Sequence, residues 1–183
     1  MIKILSAISL VALLAGCSSL KVVEVDAKTG LFPTTTKATV VKSESVDLDT
    51  KKTLILVPKS DFEKGQITNI KYFKEVMSVD ELEKQIVQKG LQEKVPSIQG
   101  IIGINNAAKH YKDFLWLHLE IKGSGRDKSV QYILTDATTM QDYFIVETKL
   151  DYIWTGVNDQ NNWYPMFNAL IAFIQKNSKT YRK

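Results

Sequence analysis

The sequence predicts an α+β domain. It combines an antiparallel meander over about residues 114–155, an added buried strand at 53–57, a capped helix at 79–94 and a C-terminal helix at 164–177. Three observations carry that expectation. Thr53-Leu54-Ile55-Leu56-Val57 is apolar throughout and stops at Pro58, as a strand covered on both faces does. Three strand-like segments follow residue 113 with only short turns between them, the pattern of a meander. Phe167, Leu170, Ile171 and Ile174 then recur at helical spacing.

The first residues read as a processing signal. Met1-Ile2-Lys3 is a short cationic start, and Ile4 to Leu14 is apolar save for Ser6 and Ser9. That length suits a signal-peptide core and falls short of the roughly 20 residues that span a bilayer. Leu14-Ala15-Gly16-Cys17 closes the run with small residues and the chain's one cysteine. The stretch resembles a bacterial lipoprotein signal peptide, and Leu14 to Cys17 resembles its lipobox. The alternative is a buried N-terminal helix with a structural cysteine, which Gly16-Cys17-Ser18-Ser19 would end abruptly. The resemblance implies cleavage before Cys17, a diacylglyceryl thioether on Cys17 and an acyl chain on the new amino terminus. One acyl chain holds a protein only marginally, at about 0.8 kcal/mol per buried methylene, and two or more make a stable anchor. Ser18 resembles the outer-membrane sorting pattern of Gram-negative lipoproteins. The expected location is therefore the outer membrane, by a lipid anchor, facing the periplasm. With one cysteine, no internal disulfide forms.

Three regions are expected: a signal peptide at 1–16, the lipidated Cys17 with a tether at 17–52, and one globular domain at 53–183. Losing residues 1–16 removes Lys3 and no acidic residue, so the net charge of +4 becomes +3. This excess is spread along the chain, whereas nucleic-acid proteins concentrate theirs on one face, so no nucleic-acid partner is expected. Lys176, Lys179, Arg182 and Lys183 cluster at the end, as a solvated tail or a contact for anionic head groups.

In the tether, Val22, Val23 and Val25, and then Thr39 to Val46, have strand-like content, and either can add an edge strand. Fully extended, some 35 residues reach on the order of 115 Å, and as a coil nearer 30 Å. Past the buried strand, Lys59 to Gln66 reads as a polar connection and Ile67 to Met77 as a possible second strand. Ser78-Val79-Asp80-Glu81 is a capping box that starts a helix. Val79, Leu82 and Ile86 share one face of it, Gly90 weakens or ends it early, and Pro96 stops it. Ile98 to Ile104, with Gly100 and Gly103, reads as a loop or half-turn buried under the sheet. Asn105 then caps a short helix through Tyr111.

In the meander, Leu115, Leu117, Leu119 and Ile121 share one face of the first strand, and Phe114, Trp116, His118 and Glu120 the other. Gly123 to Arg126 turns into the returning strand Ser129 to Asp136. Ala137 to Gln141 turns again into Tyr143 to Trp154, whose slipping alternation predicts a bend or bulge. The closing helix tolerates Pro165 in its first turn.

No catalytic site stands out. His110 and His118 fit no common zinc spacing, and neither a metal nor a cofactor is expected. Gly123-Ser124-Gly125 lacks the nucleophile elbow, and Asp47-Leu48-Asp49 lacks the glycine and glutamate of a calcium loop. The best binding candidate is the polar loop beside three aromatics: Trp154, Asn158, Asn161, Asn162, Trp163 and Tyr164. Amides and aromatic faces can hold a sugar, and the same composition suits a plain long turn before a helix.

The order of elements, with Tyr132 to Thr139 leading into Tyr143 to Glu147, resembles periplasmic lipoproteins whose fold is like the N-terminal domain of TolB. The curli secretion lipoprotein and the penicillin-binding-protein activator lipoproteins share it. The resemblance covers roughly residues 53 to 175. It departs at the turn, where many relatives have Thr-Gly and this chain has Thr138-Thr139. It implies a non-catalytic accessory in envelope assembly or maintenance that binds another envelope protein, and not an enzyme. The alternatives are a small-ligand or glycan-binding lipoprotein using the Asn158 to Tyr164 loop, and an envelope hydrolase built around His118 with an acid and a hydroxyl.

Overall fold

The computed structural model describes residues 20–125, 127–150 and 159–181. Its strands are β1 (Thr39–Ser43), β2 (Leu54–Val57), β3 (Glu75–Ser78), β4 (Leu115–Lys122), β5 (Ser129–Asp136) and β6 (Gln141–Lys149). Its α-helices are α1 (Asp61–Ile70), α2 (Val79–Gln88), α3 (Gly100–His110) and α4 (Tyr164–Asn177). The chain is α+β, with one sheet in the order β1-β6-β5-β4-β2-β3.

All four residues of β2 are buried, because the strand lies between β3 and β4 and pairs parallel with both. Leu54 and Leu56 enter the core under α2 and α3, while Ile55 and Val57 enter the core under α1 and α4. The apolar run is thus a strand covered twice. β4, β5 and β6 form the antiparallel meander. Its first turn needs glycine: Gly123 has φ +76, and a Cβ there would lie 2.0 Å from the Asp127 carbonyl oxygen. A bulge falls between the pairs Leu134–Phe144 and Thr135–Asp142, so Tyr143 is the extra residue behind the slipping alternation.

Two expectations need correction. The polar connection and second strand expected over 59–77 are the helix α1 followed by the short strand β3. Ser60 caps α1 by accepting from the Glu63 N–H, and Phe62, Gln66, Ile67 and Ile70 form its buried face. Gly65 is no breaker here. A Cβ at that position would lie 2.6 Å from Val22, so the missing side chain lets the N-terminal segment lie against the helix. The buried half-turn expected over 98–104 is the start of α3, and its Ile101 and Ile102 are 62% and 78% exposed. Asn105 lies inside that helix and donates to the Ala137 and Thr138 carbonyls, each at 2.8 Å, which ties α3 to the second meander turn.

The capping box is formed in both directions, with Ser78 accepting from the Glu81 N–H and Glu81 accepting from that of Ser78. α2 ends at Gln88, just before Gly90 at φ +67.

The segment read as a tether makes specific contacts with this body from Lys21 onward. The Lys21 carbonyl accepts from Gln66 Nε2 at 2.9 Å and from the Tyr164 hydroxyl at 2.7 Å, and that of Val23 accepts from Asn69 at 2.8 Å. Phe32 is buried, stacks on Tyr164 and exchanges two hydrogen bonds with Asn168. β1 then pairs antiparallel with β6 as an edge strand.

The residues just after α4 are clasped by Asp49. Its carboxylate accepts from Ser178 Oγ at 2.6 Å, Thr180 Oγ1 at 2.5 Å, the Lys179 N–H at 2.8 Å and the Tyr72 hydroxyl at 3.1 Å. The Ser178 and Thr180 hydroxyls, above all, hold this carboxyl well below its usual range. Asp49→Ala is expected to abolish hydrogen-exchange protection at the Lys179 and Thr180 amides while leaving that of β5 unchanged. Residual protection at both would show that the clasp is incidental.

Candidate interaction surface

Alternation divides the meander into two faces. Val130, Tyr132 and Leu134 of β5 enter the core beneath α4. The opposite face carries the other side chains, and the register arranges them in rows. One row is Trp116, Thr135, Asp142. The next is His118, Ile133, Ile145, Lys42. A third is Glu120, Gln131, Glu147, Thr39. Trp116 touches the cluster under α2 and α3, and beyond it no described helix packs on this face. Ile133 is shielded by its neighbours, whereas Trp116, His118 and Ile145 are half-buried.

The polar groups of the face are joined to one another. Trp116 and His118 stack with ring centres 4.0 Å apart. Thr135 Oγ1 donates to Asp142 at 2.6 Å and lies 3.1 Å from His118 Nε2. Since the hydroxyl proton goes to the carboxylate, the hydroxyl accepts from His118, which leaves Nδ1 as the imidazole's free acceptor. Burial pulls the His118 pKa below its usual value, against Glu120 and Asp142, so the ring is neutral near pH 7. Gln131 donates to Glu147 at 2.6 Å, and Lys122 pairs with Glu120.

The three residues form a chain, but not a nucleophilic triad. A triad places the imidazole between acid and hydroxyl, so that the ring takes the hydroxyl proton. Here the hydroxyl stands in the middle and gives its proton to the acid. Thr135 is also only 2% exposed, out of reach of a substrate. The arrangement orients a surface histidine and fixes the register of three strands.

A second network sits at the meander's end. Asp136, buried, accepts from the Tyr143 hydroxyl at 2.7 Å and from the Thr138 and Thr139 amides at 2.8 and 3.1 Å. Lys51 Nζ lies 3.1 Å from it and 2.7 Å from Asp113. Burial raises the Asp136 pKa, but the donors from Tyr143, Lys51 and the backbone outweigh it and hold the carboxyl below its ordinary range.

Of the residues predicted to bind, Trp154 and Asn158 lie outside the described residues, as do Cys17 and the lipobox. The others come together at the start of α4, with their polar atoms turned to the protein. Asn161 Oδ1 and its carbonyl accept from Thr35 and Thr36 at 2.7 and 2.9 Å. Asn162 is buried and donates to the Lys149 carbonyl at 2.9 Å. Tyr164 is buried between Phe32 and Phe62. Trp163 lies against Tyr132, and its Nε1 is buried without a hydrogen-bond partner. Beside them a groove of about 600 Å³ runs along α4, floored by Ala169 and Ala172 and edged by Thr34 to Ala38. Thr34, Thr35, Thr36, Lys37 and Asn168 supply its polar lining. The sheet face that no described helix covers was missed as a unit because only strand register brings Trp116, Thr135 and Asp142 into line. The visible signal was the alternation of Trp116 and His118 with Leu115 and Leu117.

No protein-family model matches the chain, and no curated protein matches it. Among solved structures it is similar to the C-terminal domain of LpoB from Salmonella enterica, at 14% identity. The match covers 55% of this chain and 84% of that one, with a TM-score of 0.36. An overlap that partial bears on neither fold nor function here.

Proposed function

We propose that this chain is a lipid-anchored, non-catalytic accessory of the cell envelope. It is held at the outer membrane through Cys17, faces the periplasm and binds another envelope protein through the uncovered face of the meander. The anchor reading rests on the lipobox Leu14-Ala15-Gly16-Cys17. The binding reading rests on one observation: half-buried Trp116, His118 and Ile145 share a face that no described helix covers beyond Trp116, with the acidic pair Glu120 and Glu147 beside them. An apolar centre that includes an aromatic ring, with a charged rim, is the anatomy of a protein interface. Most of the face's polar groups are already paired with one another, which suits a broad partner better than a small ligand.

A photo-crosslinking residue at Ile145, in the full chain and in living cells, is expected to capture a discrete envelope protein. The same residue at Ile102 on α3 is not. Reversing Glu147 to Lys should weaken the Ile145 adduct. Identical adducts from both positions, or none from Ile145, would remove this face as the binding surface.

A further inference from the structure

The N-terminal segment is fixed to the domain almost from where its description begins. The Lys21 carbonyl is held by two donors, one from α1 and one from the first residue of α4. Val22 lies against Gly65, Val23 is held by Asn69, and Glu24 pairs with Lys71 at 3.4 Å. Ser18, Ser19 and Leu20 are all that separates Cys17 from Lys21. Four extended residue steps span at most about 14 Å. A folded chain of this size has a radius of gyration of roughly 15 Å. The reach from anchor to domain is therefore shorter than the domain is wide, and the side that carries Lys21 has to face the membrane.

We infer that the domain rests directly on the bilayer that holds Cys17, presenting the α1 side to the lipid surface. This rests on the lipidation reading above. The edge that meets the head groups carries Leu20 and Val22, 40% and 48% exposed, two of the described chain's exposed large aliphatics. Three of the cations on this side are paired with acids: Lys71 with Glu24, Lys64 with Glu81 and Lys59 with Asp80. Short reach and aliphatic contact hold this side down. The uncovered meander face lies on the other side of the sheet from α1 and α4, and so points away from the membrane.

The test uses the full lipidated chain in phosphatidylethanolamine–phosphatidylglycerol vesicles carrying a head-group quencher. Cys17 is blocked by its thioether, so a fluorophore goes only to an introduced thiol, at Thr68→Cys on α1 or Glu120→Cys on the open face. The Thr68 position is expected to be quenched several-fold more than the Glu120 position. Inserting about twenty Gly/Ser residues, a coil of roughly 25 Å, between Ser19 and Leu20 should erase that difference without releasing the protein. Equal quenching in the lipidated protein, or an insertion without effect, overturns this inference alone. A chain that carries no lipid by mass spectrometry of its N-terminal peptide overturns the anchor reading and this inference with it.

Discussion

Replacing Phe167 by alanine is expected to cost about 3–5 kcal/mol of folding stability, the range for deleting a fully buried phenyl ring. Phe167 has no exposed surface, and its ring meets Tyr132 at 5.2 Å and Phe32 and Phe62 each at 6.0 Å. Those rings come from β5, from the N-terminal segment and from α1, so one truncation loosens three elements at once. Against a typical total of about 5–15 kcal/mol, the loss is a fifth or more of the whole. For a domain of this size it lowers Tm by roughly 6–20 °C. Urea unfolding of Phe167→Ala beside Ile102→Ala makes the comparison. Ile102 is 78% exposed, and its truncation should move stability by less than about 0.5 kcal/mol. Similar losses for the two variants would mean that α4 is not the keystone of this core.

Asp136→Asn carries the second large effect, and its size depends on pH. The asparagine keeps an oxygen for the turn amides but loses the charge that Tyr143 and Lys51 address. Hydrogen bonds to a charged group contribute about 1.5–3 kcal/mol, which sets the expected loss near pH 7. The folded carboxyl titrates below its ordinary value of 3.8. Its stabilisation is therefore complete above that value and disappears as pH falls through the folded one. Lys51 shifts the other way. Its carboxylate partners raise its pKa against the effect of burial, so its contribution fails only in strong alkali and is silent in acid. Asp49 also loses stabilisation in acid, but it is present in both proteins and cancels in their difference. The gap between wild type and Asp136→Asn should thus be widest near pH 7 and close as the pH falls below the carboxyl's ordinary 3.8. A gap that stays constant over that range would assign the loss to packing.

Much of the fold was legible because local chemistry and periodicity agreed. The apolar run Leu54–Val57, the Ser78–Glu81 box and the stripe Phe167, Leu170, Ile171 and Ile174 each point to one structure without tertiary help. Where they disagreed, the fold won. Gly65 in the middle of α1 reads as a break until Val22 is seen lying on it; Gly103, close against the Ser97 carbonyl, and Gly100, at φ +67, hide the start of α3. The N-terminal layer was the hardest to read. Phe32 has no periodic neighbours, and its partners Asn168 and Tyr164 lie more than 130 positions along the chain. The uncovered face was half legible: alternation puts Trp116 and His118 on one side of β4, but nothing local says that α4 would cover only the other.

The pairing of Phe32 with α4 also governs when this protein can fold. Its core joins one of the earliest described segments to the last helix, and β2 finds its parallel neighbour β4 only after α1, β3, α2 and α3 have intervened. Contacts so remote in sequence demand costly loop closure before they return any stabilisation, which delays folding. A chain emerging from its N-terminus has no place to bury Phe32, Leu48 or Ile55 until the residues of α4 have followed. The core around Phe32 therefore closes only once α4 has been made.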